Sequence, residues 1–115
     1  MTGFATMRAA RGRLVLAALA LGSMGLPGAA FAKDYTVTIA NMAYGKVPAG
    51  LKVGDTITWV NQDTVPHTVT ARDKSFNIAV DRGAHAQMTL NKAGNFLIYC
   101  LYHPMMRGAL KVAAQ

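Results

Sequence analysis

Glutamate is absent from this chain of 115 residues, cysteine and tryptophan each occur once, and proline occurs four times. A single cysteine excludes an intrachain disulfide, the usual staple of small exported domains. The basic residues number 12 against 5 acids, all aspartate, for a formal charge of +7. No nucleic-acid motif accompanies that charge, so it does not argue for a nucleic-acid partner. Internal repeats and low-complexity runs are missing, which excludes solenoid arrays and flexible linkers. After residue 32 no segment shows helical periodicity over a useful length, which excludes a helical bundle.

The N-terminus is built differently from the rest. Arg8, Arg11 and Arg13 precede the apolar run "LVLAALAL" (Leu14 to Leu21), glycines and Pro27 follow, and "AFA" closes the segment at Ala32. A positive start, a short apolar centre and small residues at the end form the layout of a secretory signal peptide. Leu14 to Ala32 is 19 uncharged residues, long enough for an anchor, but three glycines and a proline make a poor spanning helix. Arg8 and Arg11 are not adjacent, so there is no twin-arginine signal. The expectation is a cleaved signal over residues 1–32 and one mature domain over residues 33–115, exported to the periplasm and not inserted in the membrane. The mature part keeps nine basic and five acidic residues, a net +4, which favours acidic partner surfaces.

The mature chain reads as strands between turns. "YTVTIA" (Tyr35 to Ala40), "TITWVN" (Thr56 to Asn61), "HTVTA" (His67 to Ala71), "AQMTL" (Ala86 to Leu90), "FLIYCL" (Phe96 to Leu101) and "GALKVAA" (Gly108 to Ala114) are strand candidates. "FLIYCL" is apolar throughout and reads as an interior strand, whereas Ser75 to Ala84 reads as irregular. The prediction is an all-β sandwich of about seven to eight short strands.

Chemistry concentrates in "YCLYHPMMRGAL". Cys100 is followed by His103 three residues later and by Met106 three after that, and His67 opens a separate strand after Pro66. A chain that turns back at a strand end can aim positions i, i+3 and i+6 at one point, and Pro104 stiffens that turn. One thiolate, two imidazoles and one thioether suit copper: two His and one Cys in a plane with a weak axial Met is the blue-copper electron-transfer arrangement. Other readings stand beside it. Cys100 as a buried packing residue is common for its type. Cys100 as a nucleophile with a histidine base lacks a third orienting group or an oxyanion-hole glycine cluster. Met105 competes with Met106 as the thioether. His85 matches nothing and is assigned to solvent, Met42 and Met88 to packing, Trp59 to the core, and the scattered cations to a solvated face.

The chain resembles the cupredoxins, and among them the amicyanins. The similarity runs through "VGDTITWVN", "PHTV", "AGNF", "IYC", "CLYHPMM" and "MRGALKV", most of residues 35–112. The Cys, two residues, His, two residues, Met spacing is that of the amicyanin ligand loop. The resemblance implies a Greek-key sandwich and one copper ion held by His67, Cys100, His103 and Met106. It further implies a monomeric electron carrier, not an enzyme, passing one electron from a donor dehydrogenase or redox protein to an acceptor such as a c-type cytochrome. His103 would be the port, through an apolar patch that includes Pro104, Met105 and Met42. Two departures bear on loop rigidity: Thr68 stands where amicyanins have an asparagine, and Leu101-Tyr102 stand where they have Thr-Pro. A copper storage or delivery protein and a zinc structural module are the alternatives on the same residues.

Overall fold

The computed structural model describes residues 31–115; the signal-peptide reading falls, but for its last two residues, outside the described ones. Nine strands and no helix are present among the described residues. They are β1 (Asp34–Ala40), β2 (Ala43–Tyr44), β3 (Leu51–Lys52), β4 (Thr56–Asn61), β5 (His67–Ala71), β6 (Asn77–Val80), β7 (His85–Thr89), β8 (Gly94–Tyr99) and β9 (Arg107–Ala113). One sheet runs β2-β1-β4-β7 and the other β3-β9-β8-β5-β6. Both are mixed, since β1 lies parallel to β4 and β3 parallel to β9.

Alternation decides which side faces in. In β4, Ile57, Trp59 and Asn61 are buried while Thr56, Thr58 and Val60 are half-buried, as period 2 requires. Val37, Ile39, Ile57 and Trp59 from the first sheet join Val69, Ile98, Leu110 and Val112 from the second in one core. Among the described glycines Gly45 is the most crowded: an added Cβ would stand 2.7 Å from the Thr38 carbonyl oxygen.

Four sequence expectations need correction. The strand count is nine because β2 and β3, two residues each, are too short to show periodicity. Ser75 to Ala84 contains β6, paired antiparallel with β5. β8 is the middle strand of its sheet, as the apolar run implies, but "FLIYCL" is not buried throughout: β8 ends at Tyr99, Leu97 is 59% exposed and Leu101 45% exposed, so one face of that strand meets solvent. Met42, expected to pack, is 44% exposed on the turn between β1 and β2. His85 is exposed, and Met88 and Trp59 are buried, as expected.

Aspartates hold the turns. Asp55 is buried, and its carboxylate accepts the backbone N–H of Lys33 and of Lys52, both at 2.9 Å. Those two bonds pull its pKa below the usual carboxylate range. Asp34, Asp63 and Asp73 are lowered too, chiefly by the Thr56 hydroxyl, the Met42 N–H and the Ser75 hydroxyl respectively. A carboxylate depressed in the fold stabilises it fully above the unfolded value, near pH 4, and that contribution disappears as pH falls through the folded value. The urea midpoint should therefore stay level from neutrality to about pH 5 and drop steeply below about pH 4. Asp55→Asn should lower the midpoint at pH 7 and flatten the acid limb; an unchanged limb would remove Asp55 from this role. Among the described residues no helix is long and apolar enough to cross a membrane.

Candidate metal centre

Asn61 prepares the site from below. Its buried side chain bonds through Nδ2 to the carbonyls of Val65 (2.9 Å), Val80 (3.2 Å) and Asp81 (3.2 Å), and its Oδ1 accepts the Asp63 N–H (2.9 Å). The loop from β4 to β5 is thereby fixed, and β5 begins with His67 fully buried. From the neighbouring strand of the same sheet, β8, the chain runs on into Cys100, also fully buried. The chain then turns back: Met106 N–H donates to the His103 carbonyl at 2.8 Å, and Cys100 N–H donates to the Met106 carbonyl at 3.2 Å. Met106, six positions after the cysteine, is buried and its side chain joins the core.

These elements bring the sequence-predicted residues to one end of the sandwich. His67 Nδ1 lies 3.8 Å from Cys100 Sγ. The rings of His67 and His103 meet edge to face, with centroids 5.3 Å apart and planes at 64°. Thr68 N–H donates to Cys100 Sγ at 3.3 Å. Burial pushes the Cys100 thiol up, but backbone N–H groups aimed at its sulfur, first among them that of Thr68, leave its pKa lowered. A thiol predisposed to ionise beside a buried imidazole nitrogen is a fit donor pair for a soft or borderline metal ion. Among the described residues no three His, Cys, Asp or Glu side chains form a ready-made cluster.

The residue after His67 answers the first departure noted in the sequence. Thr68 Oγ1 accepts the Leu101 N–H at 2.9 Å, and its own proton goes to Thr70 Oγ1 (2.9 Å), which donates to Asn77 Oδ1 (2.8 Å). A hydroxyl thus pins the ligand loop to β5 without an amide. Thr68→Val keeps the backbone donor to sulfur but strips the Leu101 N–H of its acceptor, at a cost of about 1–3 kcal/mol for a part-buried amide. The check is urea unfolding together with hydrogen exchange at Leu101, which should speed up; unaltered exchange would show that the hydroxyl does not hold the loop.

Two features escaped the sequence reading. Asp63 Oδ2 lies 2.8 Å from His67 Nε2, a pairing that the four-residue spacing could have suggested. Tyr44, on the short β2, donates its hydroxyl to the Thr68 carbonyl at 2.5 Å, and burial, with Cys100 nearby, raises its pKa. Five of the seven large apolar side chains exposed among the described residues lie on segments next to these groups: Leu101, Tyr102 and Met105 on the loop from Cys100 to Met106, Val65 just before His67, and Met42 on the turn held by Asp63.

The comparisons with known proteins agree with this geometry. The chain matches the family of copper binding proteins of the plastocyanin/azurin type over residues 32–113, and it belongs to that family, whose members carry copper. Its curated relatives include two amicyanins. With that of Paracoccus denitrificans it is 34% identical over 82 residues, covering 66% of this chain and 63% of the relative. With that of Paracoccus versutus it is 30% identical over 125 aligned positions, covering 87% of this chain and 94% of the relative. The chain thus spans less than two thirds of the first of these. Among solved structures it is similar to an oxidised proline-to-alanine variant of amicyanin, with a TM-score of 0.60 and 30% identity over 71% of this chain and 82% of that one. The Cu(I) form of a methionine-to-alanine variant gives the same TM-score and identity, over 76% and 87%. The chain is therefore amicyanin-like, and copper is its cofactor.

Proposed function

We propose that this protein is a periplasmic blue-copper electron carrier, in which residues 1–32 are a cleaved export signal and residues 33–115 the working domain. His67, Cys100, His103 and Met106 are its ligands to one copper ion. The observation that carries the reading is the buried His67 Nδ1 to Cys100 Sγ approach of 3.8 Å, between strands 33 residues apart in sequence. Bound there, the copper ion supplies a one-electron couple between Cu(I) and Cu(II).

The chain's own residues do the rest. Cys100 is kept ready to ionise by the N–H groups around its sulfur. The sandwich holds His67 and Cys100 away from water, so little rearranges when charge changes. The half-buried His103 leads from the buried pair to the surface, where Met105 at 87% exposed and Tyr102 at 57% form the apolar rim. A small apolar contact of that kind sheds water readily and releases quickly, which suits a transient redox partner. Arg107 on the adjoining strand, with nearby lysines, steers acidic partners at low salt. The partners we assign are a donor dehydrogenase or redox protein and an acceptor such as a c-type cytochrome. The chain works as a monomer, turns over no substrate and binds neither nucleic acid nor membrane.

The deciding experiment is the visible spectrum of the copper-loaded, oxidised protein. An intense thiolate-to-Cu(II) band supports the carrier; a pale sample with tight Cu(I) binding would replace it by copper storage or delivery, and a preference for zinc by a structural site. Met106→Gln should keep its copper but show a lower reduction potential, because the axial position adjusts the couple more than it holds the ion. Cyclic voltammetry reads this, and complete loss of copper would remove Met106 from the axial role.

A further inference from the structure

Asp63 takes no part in the proposed ligand set, yet its carboxylate joins three separate groups. Oδ1 accepts the Asn41 N–H at 2.7 Å, and Oδ2 accepts the Met42 N–H at 3.0 Å. Oδ2 also meets His67 Nε2 at 2.8 Å. Its own backbone N–H is held by Asn61 Oδ1 at 2.9 Å, so the residue cannot swing away freely.

Each end of this bridge has a reason to need it. Asn41 and Met42 form the two-residue turn between the paired Ala40 and Ala43, and both have left-handed backbones, with φ of 54° and 60°. Neither is glycine, so the turn is strained, and two hydrogen bonds from its amides offset that. At the other end, an ionised carboxylate only accepts, so the proton on that edge of the His67 ring must sit on Nε2. In the neutral ring the opposite nitrogen, Nδ1, is then left with its lone pair toward Cys100 Sγ, 3.8 Å away.

We propose that Asp63 is a positioning residue of the metal centre: its carboxylate fixes His67 as the Nε2–H tautomer with Nδ1 free toward Cys100, and ties that ring to the surface turn that carries Met42. The proposal rests on the copper reading above for its electronic consequence, but not for the tautomer. A carboxylate drawing on Nε2–H makes Nδ1 a stronger donor and brings negative charge near the ion. Both effects favour Cu(II) over Cu(I) and so hold the reduction potential down. If the carboxylate merely capped the turn, neither the ring nor the couple would respond to its removal.

The test compares the wild-type protein with Asp63→Asn and Asp63→Ala. Nitrogen NMR of the His67 ring is read on metal-free protein, and the reduction potential on copper-loaded protein. The wild type should show Nε2–H. Asp63→Asn should retain that tautomer, because its amide oxygen still accepts, while losing the charge. Its preference for Cu(II) should fall about tenfold, within the range seen when outer partners of metal ligands are altered, which is a rise of ~59 mV for a one-electron couple. Asp63→Ala should show a mixture of tautomers and faster exchange of the Asn41 and Met42 amides. An unchanged tautomer in Asp63→Ala overturns the positioning role. A potential in Asp63→Asn equal to that of the wild type, with the thiolate-to-copper band intact in both, overturns the electronic one. Absence of the band from the wild type counts instead against the copper function, since the tautomer is read without metal.

Discussion

Cys100→Ser, loaded with Cu(II) and oxidised, is expected to lose the intense visible absorption of the wild type entirely. The absorption requires charge transfer from a thiolate sulfur, and Cys100 is the only cysteine in the chain. A serine hydroxyl is a harder ligand and does not ionise near neutrality, so any copper that remains should bind weakly and be nearly colourless. The fold should survive, because serine is close to cysteine in size and the N–H groups of Thr68, Tyr102 and His103 that face Sγ can donate to Oγ instead. Absorption and far-ultraviolet circular dichroism on the same sample separate the two effects. Persistent blue colour in the serine variant would put the ligand sulfur elsewhere and end the assignment.

Trp59→Ala carries the largest expected change in stability. Trp59 is fully buried at the centre of β4, paired with Val37 of β1 and Ala86 of β7. Its ring meets Tyr44 edge to face, with centroids 5.8 Å apart and planes at 68°. Removing such a side chain costs about 3–5 kcal/mol. A domain of this size has roughly 4–13 kcal/mol in total, so the alanine variant should be marginal or unfolded at 37 °C. The damage should also reach the metal centre, since Tyr44 loses its wall and its hydroxyl holds the carbonyl of Thr68.

Trp59→Phe should behave differently. Trp59 Nε1 is buried and has no hydrogen-bond partner among the described residues. Phenylalanine keeps an aromatic ring against Tyr44 and deletes the unpaired donor, so part of the lost packing is offset by the roughly 1–3 kcal/mol that such a donor costs. Urea unfolding followed by circular dichroism measures both variants, which lack the chain's single tryptophan as a fluorescent probe. An alanine midpoint within error of the wild type would mean that the core closes over the gap.

Strands β4 and β5 were legible to the residue: alternation after Gly54-Asp55 marked β4, and Pro66 marked the start of β5. β8 was misjudged in its surroundings: an unbroken apolar string looks buried on both faces, but Leu97 points to solvent beside Ala109 of β9. β2 and β3 were missed because two residues carry no period; both exist only because a neighbouring strand pairs with them. The four candidate ligands were legible as types and spacings, since a strand end that turns back limits what it can place together. Their support was not. Thr68 looked like a weakened position, and only the run of hydroxyls to Asn77 shows how it holds the loop.

By itself, the sequence determined the β architecture, the candidate copper ligands and the short loop that carries three of them. These follow from local periodicity, residue type and spacing, which need no distant partner. Tertiary structure decided which nitrogen of His67 faces the sulfur, that Asp63 grips the other, and that Thr68 secures Leu101. Those facts join positions up to 33 residues apart. They depend on strand register and loop closure, which fix hydrogen-bond partners only once two sheets have packed over a common core.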